Sequence, residues 1–220
     1  MKKLLTIAAL MGVASLSYGQ GSVNFSAGAS ASTRIATNSV AGGATTGQIS
    51  GAGNYYFALF VAPSTTGTNY SLSASLDPTL SGFTFFGAYG TNTASVGRFT
   101  GNPTTDDVAV PGYGAGTSAD FVVVGWQANI GTDWNSFRTW YNNGSPNDAS
   151  HGSVVWAGHS FVAEGVQLGG GLIPPGTIFG AGTGQVPGFT LGAINVPEPS
   201  TIALAGLGAA AVVIFRRRKA

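Results

Sequence analysis

The central part of this chain, residues 20–195, has the sequence pattern of an all-β domain. Short runs of aromatic and β-branched residues recur there, and clusters of Gly, Asn, Pro and Thr separate them. This alternation is typical of antiparallel strands joined by turns. All four Trp, 12 of the 13 Phe and 6 of the 7 Tyr lie in this part, which is enough apolar area for a core. We therefore expect an antiparallel β-sandwich or jelly roll.

Eight runs are the clearest strand candidates, and one of them is almost continuously apolar. This run, Tyr55–Ala62, should be buried on both faces or lie centrally in a sheet. The run Ser153–Glu164 is less regular, and Gly158 within it could mark a β-bulge. In chain order the eight runs are Ser22–Ser26, Tyr55–Ala62, Phe83–Tyr89, Ser95–Thr100, Phe121–Ile130, Ser153–Glu164, Thr177–Phe179 and Phe189–Ile194.

One short segment of the domain is predicted to be helical. Trp134 and Phe137 fall at helical spacing. Trp140 or Tyr141 continues the same face one turn later. Asp133 can cap the first turn, and the Asn-Asn-Gly sequence that follows would end the helix.

The first nineteen residues have the layout of an export signal. Lys2 and Lys3 form a positive start, and residues 4–16 are uncharged and mostly apolar. Ser17-Tyr18-Gly19 then places small residues at the first and third positions of a cleavage box. Thirteen apolar residues are too few to span a bilayer as a helix. The pattern predicts a cleaved signal peptide, residues 1–19, that passes the chain to the Sec translocon.

The last twenty-five residues, 196–220, combine three features in a fixed order. The first is a proline-rich motif, formed by Pro197, Glu198, Pro199 and Ser200. The second is a run of fifteen uncharged residues, 201–215. The third is a basic stop, formed by Arg216, Arg217, Arg218 and Lys219. The two prolines hold the motif extended. Fifteen helical residues span about 22 Å, short of a hydrocarbon core of about 30 Å, so the arginine stems must snorkel. We expect a short transmembrane helix with the cations on the cytoplasmic side.

This order resembles the PEP-CTERM sorting signal of Gram-negative bacteria, whose carriers are substrates of an exosortase, a membrane enzyme similar to cysteine transpeptidases. The resemblance covers residues 196–220 alone. It implies that an exosortase is a partner and that the chain is cleaved near Pro197-Glu198-Pro199. It also implies a transient inner-membrane intermediate and a final location at the outer surface or in the extracellular matrix.

The domain between the two signals is acidic and free of cysteine. It contains three arginines and no lysine against seven carboxylates, which leaves a net charge of −4. A surface of this charge argues against nucleic-acid binding. The absence of cysteine excludes thiol catalysis and thiolate metal sites. So few charges also leave few residues that oppose pairing between strand edges, which would permit self-association.

Residues with catalytic chemistry are scarce in the domain. The two histidines, His151 and His159, would lie about 26 Å apart on one strand and share a metal only if a turn intervened. Asp106-Asp107 could supply oxygen ligands to calcium in a turn, although the spacing of a calcium loop is missing. Glu164 could pair with an aspartate for glycoside hydrolysis. We expect no metal, no cofactor and no enzymatic activity.

The tryptophans are the candidates for ligand binding. Trp126, Trp134, Trp140 and Trp156 could form a sugar-stacking platform on one sandwich face, although Trp in such a domain is more often part of the core. Two function classes remain ahead of a secreted hydrolase. The first is a non-catalytic structural or adhesive protein of the surface or matrix. The second is a carbohydrate-binding module that retains exopolysaccharide.

Overall fold

The structure, a computed structural model, describes residues 19–38, 45–64, 80, 82–142 and 154–195. These residues form thirteen strands and one α-helix, which confirms the all-β class. The strands are β1 Gln20–Asn24, β2 Ser26–Ala27, β3 Ala36–Asn38, β4 Thr45–Gln48, β5 Tyr55–Pro63, β6 Thr84–Asn92, β7 Phe99–Thr100, β8 Asp107–Gly114, β9 Ser118–Gln127, β10 Val154–His159, β11 Ala163–Gln167, β12 Gly176–Thr177 and β13 Thr190–Asn195. The helix, α1, is Trp134–Asn142.

Both terminal signals fall almost entirely outside the described residues. These are residues 1–18 of the predicted signal peptide, and residues 196–220 with the predicted transmembrane helix and basic stop. Gly19 and Gln20, which flank the predicted cleavage point, are described, and β1 begins at Gln20. Within the described ranges, we find no helix that has both the length and the apolar character needed to cross a membrane.

The larger sheet is built around the antiparallel pair β5 and β9. Its strand order is β2-β7-β6-β5-β9-β10-β13-β3-β4, and β11 pairs with β9 beside β10. Residues Phe57 to Ala62 of β5 are all buried. The prediction that Tyr55–Ala62 lies centrally in a sheet is therefore confirmed, because an apolar strand with neighbours on both edges can bury both of its faces.

The smaller sheet has the order β12-β1-β8 and packs against the larger one. The chain passes from the smaller to the larger sheet at Phe25, between β1 and β2. The Phe25 amide donates to the Asp106 carbonyl oxygen at 2.7 Å, and the Phe25 carbonyl accepts from the Gly101 amide at 2.7 Å. Phe25 is fully buried. A strand that changes sheets in this way closes one corner of a sandwich.

Alternate residues of the two central strands face two separate hydrophobic clusters. Phe57, Leu59 and Phe121 belong to the cluster that contains Val23 and Val110 of the smaller sheet. The intervening residues face the opposite cluster, which α1 covers. From β5, β9 and α1 its members include Ala58, Phe60, Val122, Val124, Trp126, Trp134, Phe137 and Trp140. The larger sheet is thus covered by a second sheet on one face and by a helix on the other.

Three features of the fold differ from the prediction. The pairs β1–β12 and β3–β13 are parallel, so the sandwich is not purely antiparallel. Strands β3, β4 and β8 were missed, because their residues are polar or include Pro111 and Gly112. Gly158 is not a bulge, since β10 keeps its register with β9 through this residue. A Cβ there would lie 3.0 Å from the Thr190 carbonyl oxygen, so Gly158 allows a close backbone approach.

The two ends of the domain lie towards opposite ends of β9. Gln20 pairs with Gly114, which is joined by a short turn to the start of β9 at Ser118. Asn195 pairs with Val154, at the end of the sheet where β9 finishes. The length of β9 puts about 30 Å of strand between the two ends.

Candidate functional site

The structure places three of the four tryptophans in the core. Trp126 is fully buried, and Trp134 and Trp140 are each 5% exposed. The Trp126 indole donates to the Gly131 carbonyl oxygen at 2.8 Å. Trp156 is partly buried and packs on the opposite face of the sheet. The predicted sugar-stacking platform is therefore wrong for the first three, because buried rings cannot stack on a ligand.

The predicted helix and its cap are confirmed by α1. The Ser136 amide and hydroxyl both donate to the Asp133 carboxylate, at 2.9 and 2.6 Å. These hydrogen bonds hold the pKa of Asp133 below its ordinary value, and the bond from the Ser136 hydroxyl has the larger effect. The carboxylate thus satisfies an amide that the first helical turn leaves without a partner.

The acidic turn at Asp106 and Asp107 has a structural role. The Asp106 carboxylate accepts a hydrogen bond from the Thr100 hydroxyl and forms an ion pair with Arg98 at 3.3 Å. Asp106 also has a φ of 59°, which aspartate tolerates in tight turns. The described residues contain no group of three or more His, Cys, Asp or Glu that could hold a metal ion. Because Arg98 already neutralises Asp106, the turn does not resemble a calcium site.

The other candidate catalytic residues are dispersed. His159 Nδ1 lies 3.0 Å from the Ser160 carbonyl oxygen, and His151 lies outside the described residues. Glu164 is exposed on β11. Asp120, 1% exposed, accepts a hydrogen bond from the Gly165 amide at 2.7 Å. This carboxylate fixes the irregular pairing of β11 with β9, where the register shifts between Ala163 and Val166.

A groove lies on the flank of the domain, where the part of β6 beyond its short pairing with β7 faces β8, the edge strand of the smaller sheet. Its volume is about 470 Å³, and it is open to solvent. Strand β6 forms one wall and β8 the other. The turn between β7 and β8 closes one side. The lining residues are Phe86, Gly87, Ala88, Tyr89, Gly101, Asn102, Asp107, Val108 and Ala109.

The groove combines an apolar surface with two polar side chains. Phe86, Ala88 and Val108 are partly buried and pack on the core between the sheets. Asn102 is fixed by its own turn, because its carboxamide donates to the Asp107 carbonyl oxygen at 3.3 Å and accepts from the Thr104 amide at 2.9 Å. Within the described part of the chain, its second N–H remains available as a donor.

Asp107 is the acidic group of this groove. Its Oδ1 accepts from the Asn24 carboxamide at 3.3 Å. Among the described residues, neither a hydrogen bond nor an ion pair engages its Oδ2. A carboxylate oxygen with this freedom can accept hydrogen bonds from a ligand.

Both strands that border the groove are interrupted by glycine. The register of β6 against β5 shifts between Ala58 and Phe60, opposite Gly87, which has a φ of 92°. The register of β8 against β1 shifts between Gln20 and Gly21, opposite Gly112, which has a φ of 82°. Such bulges bend a strand edge and make it a poor template for further pairing. The stretches of β6 and β8 along the groove are thus poor templates for pairing, although they carry few charges.

Comparison with known proteins identifies one segment of the chain. Residues 195–219 match the model of the PEP-CTERM protein-sorting motif. The chain carries a PEP-CTERM sorting signal. No curated protein and no solved structure that we compared with it matches the chain.

The PEP-CTERM signal follows the folded domain directly. The match begins at Asn195, which is also the last residue of β13 and pairs with Val154. The motif implies that an exosortase processes the chain and that the chain is exported to the cell envelope or surface. The match includes both parts of the signal that the sequence predicts. These are the processing motif, Pro197, Glu198, Pro199 and Ser200, and the basic stop, Arg216, Arg217, Arg218 and Lys219.

Sequence reasoning found the sorting signal but missed the groove. Phe86 falls in a predicted strand run, and the sequence suggests Asp107 as a calcium ligand or as one of the aspartates that could pair with Glu164. Asn102 lies 16 residues from Phe86, so the groove exists only once the turn before β8 is placed beside β6. A positional signal was present at Gly87, since a glycine inside an aromatic strand run suggests a bulge.

Proposed function

We propose that this chain is a non-catalytic protein of the cell surface or extracellular matrix, delivered there by exosortase-type processing. The PEP-CTERM signal carries this proposal. The signal peptide predicted for residues 1–19 agrees with it, because both signals place the domain on the outer side of the inner membrane.

A structural rather than catalytic role is supported by what the carboxylates do. Asp106 is held in an ion pair, Asp120 is buried against a main-chain amide, and Asp133 caps a helix. Each of these groups stabilises the fold. The alternative function, exopolysaccharide binding, cannot use Trp126, Trp134 and Trp140, because these side chains are buried. The groove between β6 and β8 is a different candidate site for it.

The position of the sorting signal gives the domain an orientation in this proposal. Because the signal starts at the end of β13, the end of the sheet near Gln127 faces the membrane until cleavage. Gln20 then lies at the far end, about 30 Å of strand away. Processing would release or attach the domain at one pole and leave the mature N-terminus at the other.

The test is the intact mass of the protein recovered from outside the producing cells. We expect a chain that starts at Gln20 and ends within or near residues 197–199. A variant with Arg216, Arg217, Arg218 and Lys219 all changed to alanine should accumulate unprocessed. Arg138→Ala removes an exposed cation from α1 instead and should be processed normally. Export of a chain lacking residues 197–220 to the same place in the same form would refute the proposal.

A further inference from the structure

We propose that the groove between β6 and β8 binds an uncharged polysaccharide chain. Phe86 supplies the surface on which a sugar ring stacks, and Asp107 and Asn102 supply hydrogen bonds to its hydroxyls. This goes beyond the proposed function, because sorting and export neither require nor provide a ligand for the domain.

The size and shape of the groove suit a chain of sugars. Its volume of about 470 Å³ lies within the range of about 300–1,000 Å³ for small-molecule sites. The groove lies between β6 and β8 and is open to solvent, so a polymer can occupy it without a free end. An enclosed pocket would instead select a small molecule or the end of a chain.

The lining offers both kinds of contact that a pyranose makes. The C–H face of the ring is apolar and gains by covering Phe86 and its neighbour Val108. The hydroxyls around the ring need donors and acceptors at the rim. Asp107 Oδ2 can accept and the second N–H of Asn102 can donate, so the lining meets both needs.

Charge favours an uncharged polysaccharide over an anionic one. Asp107 places a carboxylate in the lining of the groove, and the domain as a whole has a net charge of −4. The cation closest in sequence, Arg98, is already paired with Asp106 at 3.3 Å. A uronate or sulfate group in the groove would therefore meet a carboxylate without a compensating cation.

The same two strands argue against an extended peptide as the ligand. A peptide that adds a strand needs a regular row of main-chain donors and acceptors. Gly87 interrupts that row on β6, and the Pro111-Gly112 pair interrupts it on β8, where Pro111 also has no amide proton. A sugar chain uses side chains, so these bulges do not impede it.

Calorimetry on the full chain tests the proposal, in a detergent whose head group is not a sugar. The probes are neutral hexasaccharides of glucose, mannose, galactose and N-acetylglucosamine, a hexasaccharide of guluronate, and an uncharged eight-residue β-strand peptide. We expect binding of at least one neutral hexasaccharide. Phe86→Leu keeps an apolar side chain but removes the aromatic face, and should weaken binding roughly tenfold, or about 1.4 kcal/mol. Asp107→Asn should also weaken it.

Matched variants and a second measurement keep the test decisive. Phe161→Leu makes the same change at a ring that is 75% exposed and does not line the groove, so it should leave binding unchanged. Asp133→Asn is the control for charge. If Phe86→Leu does not fold, NMR spectra of the unaltered protein provide a second test. The chemical-shift changes caused by the bound neutral hexasaccharide should then map to β6 and β8. The proposal fails if no neutral hexasaccharide binds, if binding ignores both groove variants, or if guluronate or the peptide binds in preference.

Discussion

The phenolic oxygen of Tyr89 accepts a hydrogen bond from the main-chain amide of Trp134 at 2.8 Å. This bond joins strand β6 to the first residue of α1 and satisfies an amide at the start of the helix. The aromatic rings around it pack closely, with the Phe60 and Trp134 centroids 4.8 Å apart. This directed hydrogen bond, inside an apolar cluster, therefore helps to hold the helix on the sheet.

Tyr89→Phe should lower the free energy of unfolding by about 1 kcal/mol, because it leaves the Trp134 amide without its acceptor. Tyr56→Phe, on the same sheet face, is the matched control and should have a smaller effect. Urea unfolding followed by circular dichroism measures both. Equal losses in the two variants would show that the hydrogen bond does not hold the helix in place.

Stability should fall at alkaline pH. Burial raises the pKa of both Tyr89 and Tyr55 above the ordinary value of 10.0. The folded state therefore holds its protons longer than the unfolded state. The contribution of the two tyrosines to the free energy of unfolding is therefore complete below pH 10, and it is lost as the pH rises through their raised pKa values. Unfolding midpoints in urea between pH 8 and 11 should decline, and the decline should be shallower in Tyr89→Phe. A midpoint that is constant over this range would contradict the prediction.

Asp133→Ala should destabilise α1, whereas Asp133→Asn should be milder because asparagine is also a good cap. The hydrogen bonds from Ser136 lower the pKa of Asp133. Its contribution is therefore complete above the ordinary value and is lost as the pH falls through the lowered one. Melting curves between pH 5 and 2 should show a steeper loss for the original protein than for Asp133→Asn. Identical slopes would mean that the cap does not depend on the charge.

The elements predictable from sequence were those with a local pattern. Strand β5 is predictable because a strand buried on both faces is a continuous apolar run. Helix α1 is predictable because its apolar residues recur with a 3.6-residue period and Asp133 precedes them as a cap. Strand β8 has no such local pattern, since Pro111 and Gly112 interrupt it. The core position of Trp126 and the groove at Phe86 depend on which strands become neighbours, and those pairings join residues far apart in the chain.

Gly125→Ala should cost about 1–3 kcal/mol of stability. A Cβ at Gly125 would lie 2.7 and 2.8 Å from two ring carbons of Phe57. That ring stacks on Phe99 with centroids 4.1 Å apart, so it cannot move away freely. Gly114→Ala is the matched control, because the nearest heavy atom to its added Cβ is 3.6 Å away. Chemical denaturation should separate the two, and a neutral Gly125→Ala would show that this part of the core is loosely packed.

Tryptophan fluorescence should report a largely buried set of indoles. Trp126, Trp134 and Trp140 lie in the cluster beneath α1, in contact with aromatic rings and shielded from water. Their emission should be blue-shifted in the folded protein and should move to longer wavelength on unfolding. Acrylamide should quench only the fraction from Trp156, so Trp156→Phe should remove nearly all of the quenchable signal. Extensive quenching that persists in Trp156→Phe would mean that α1 does not cover the sheet.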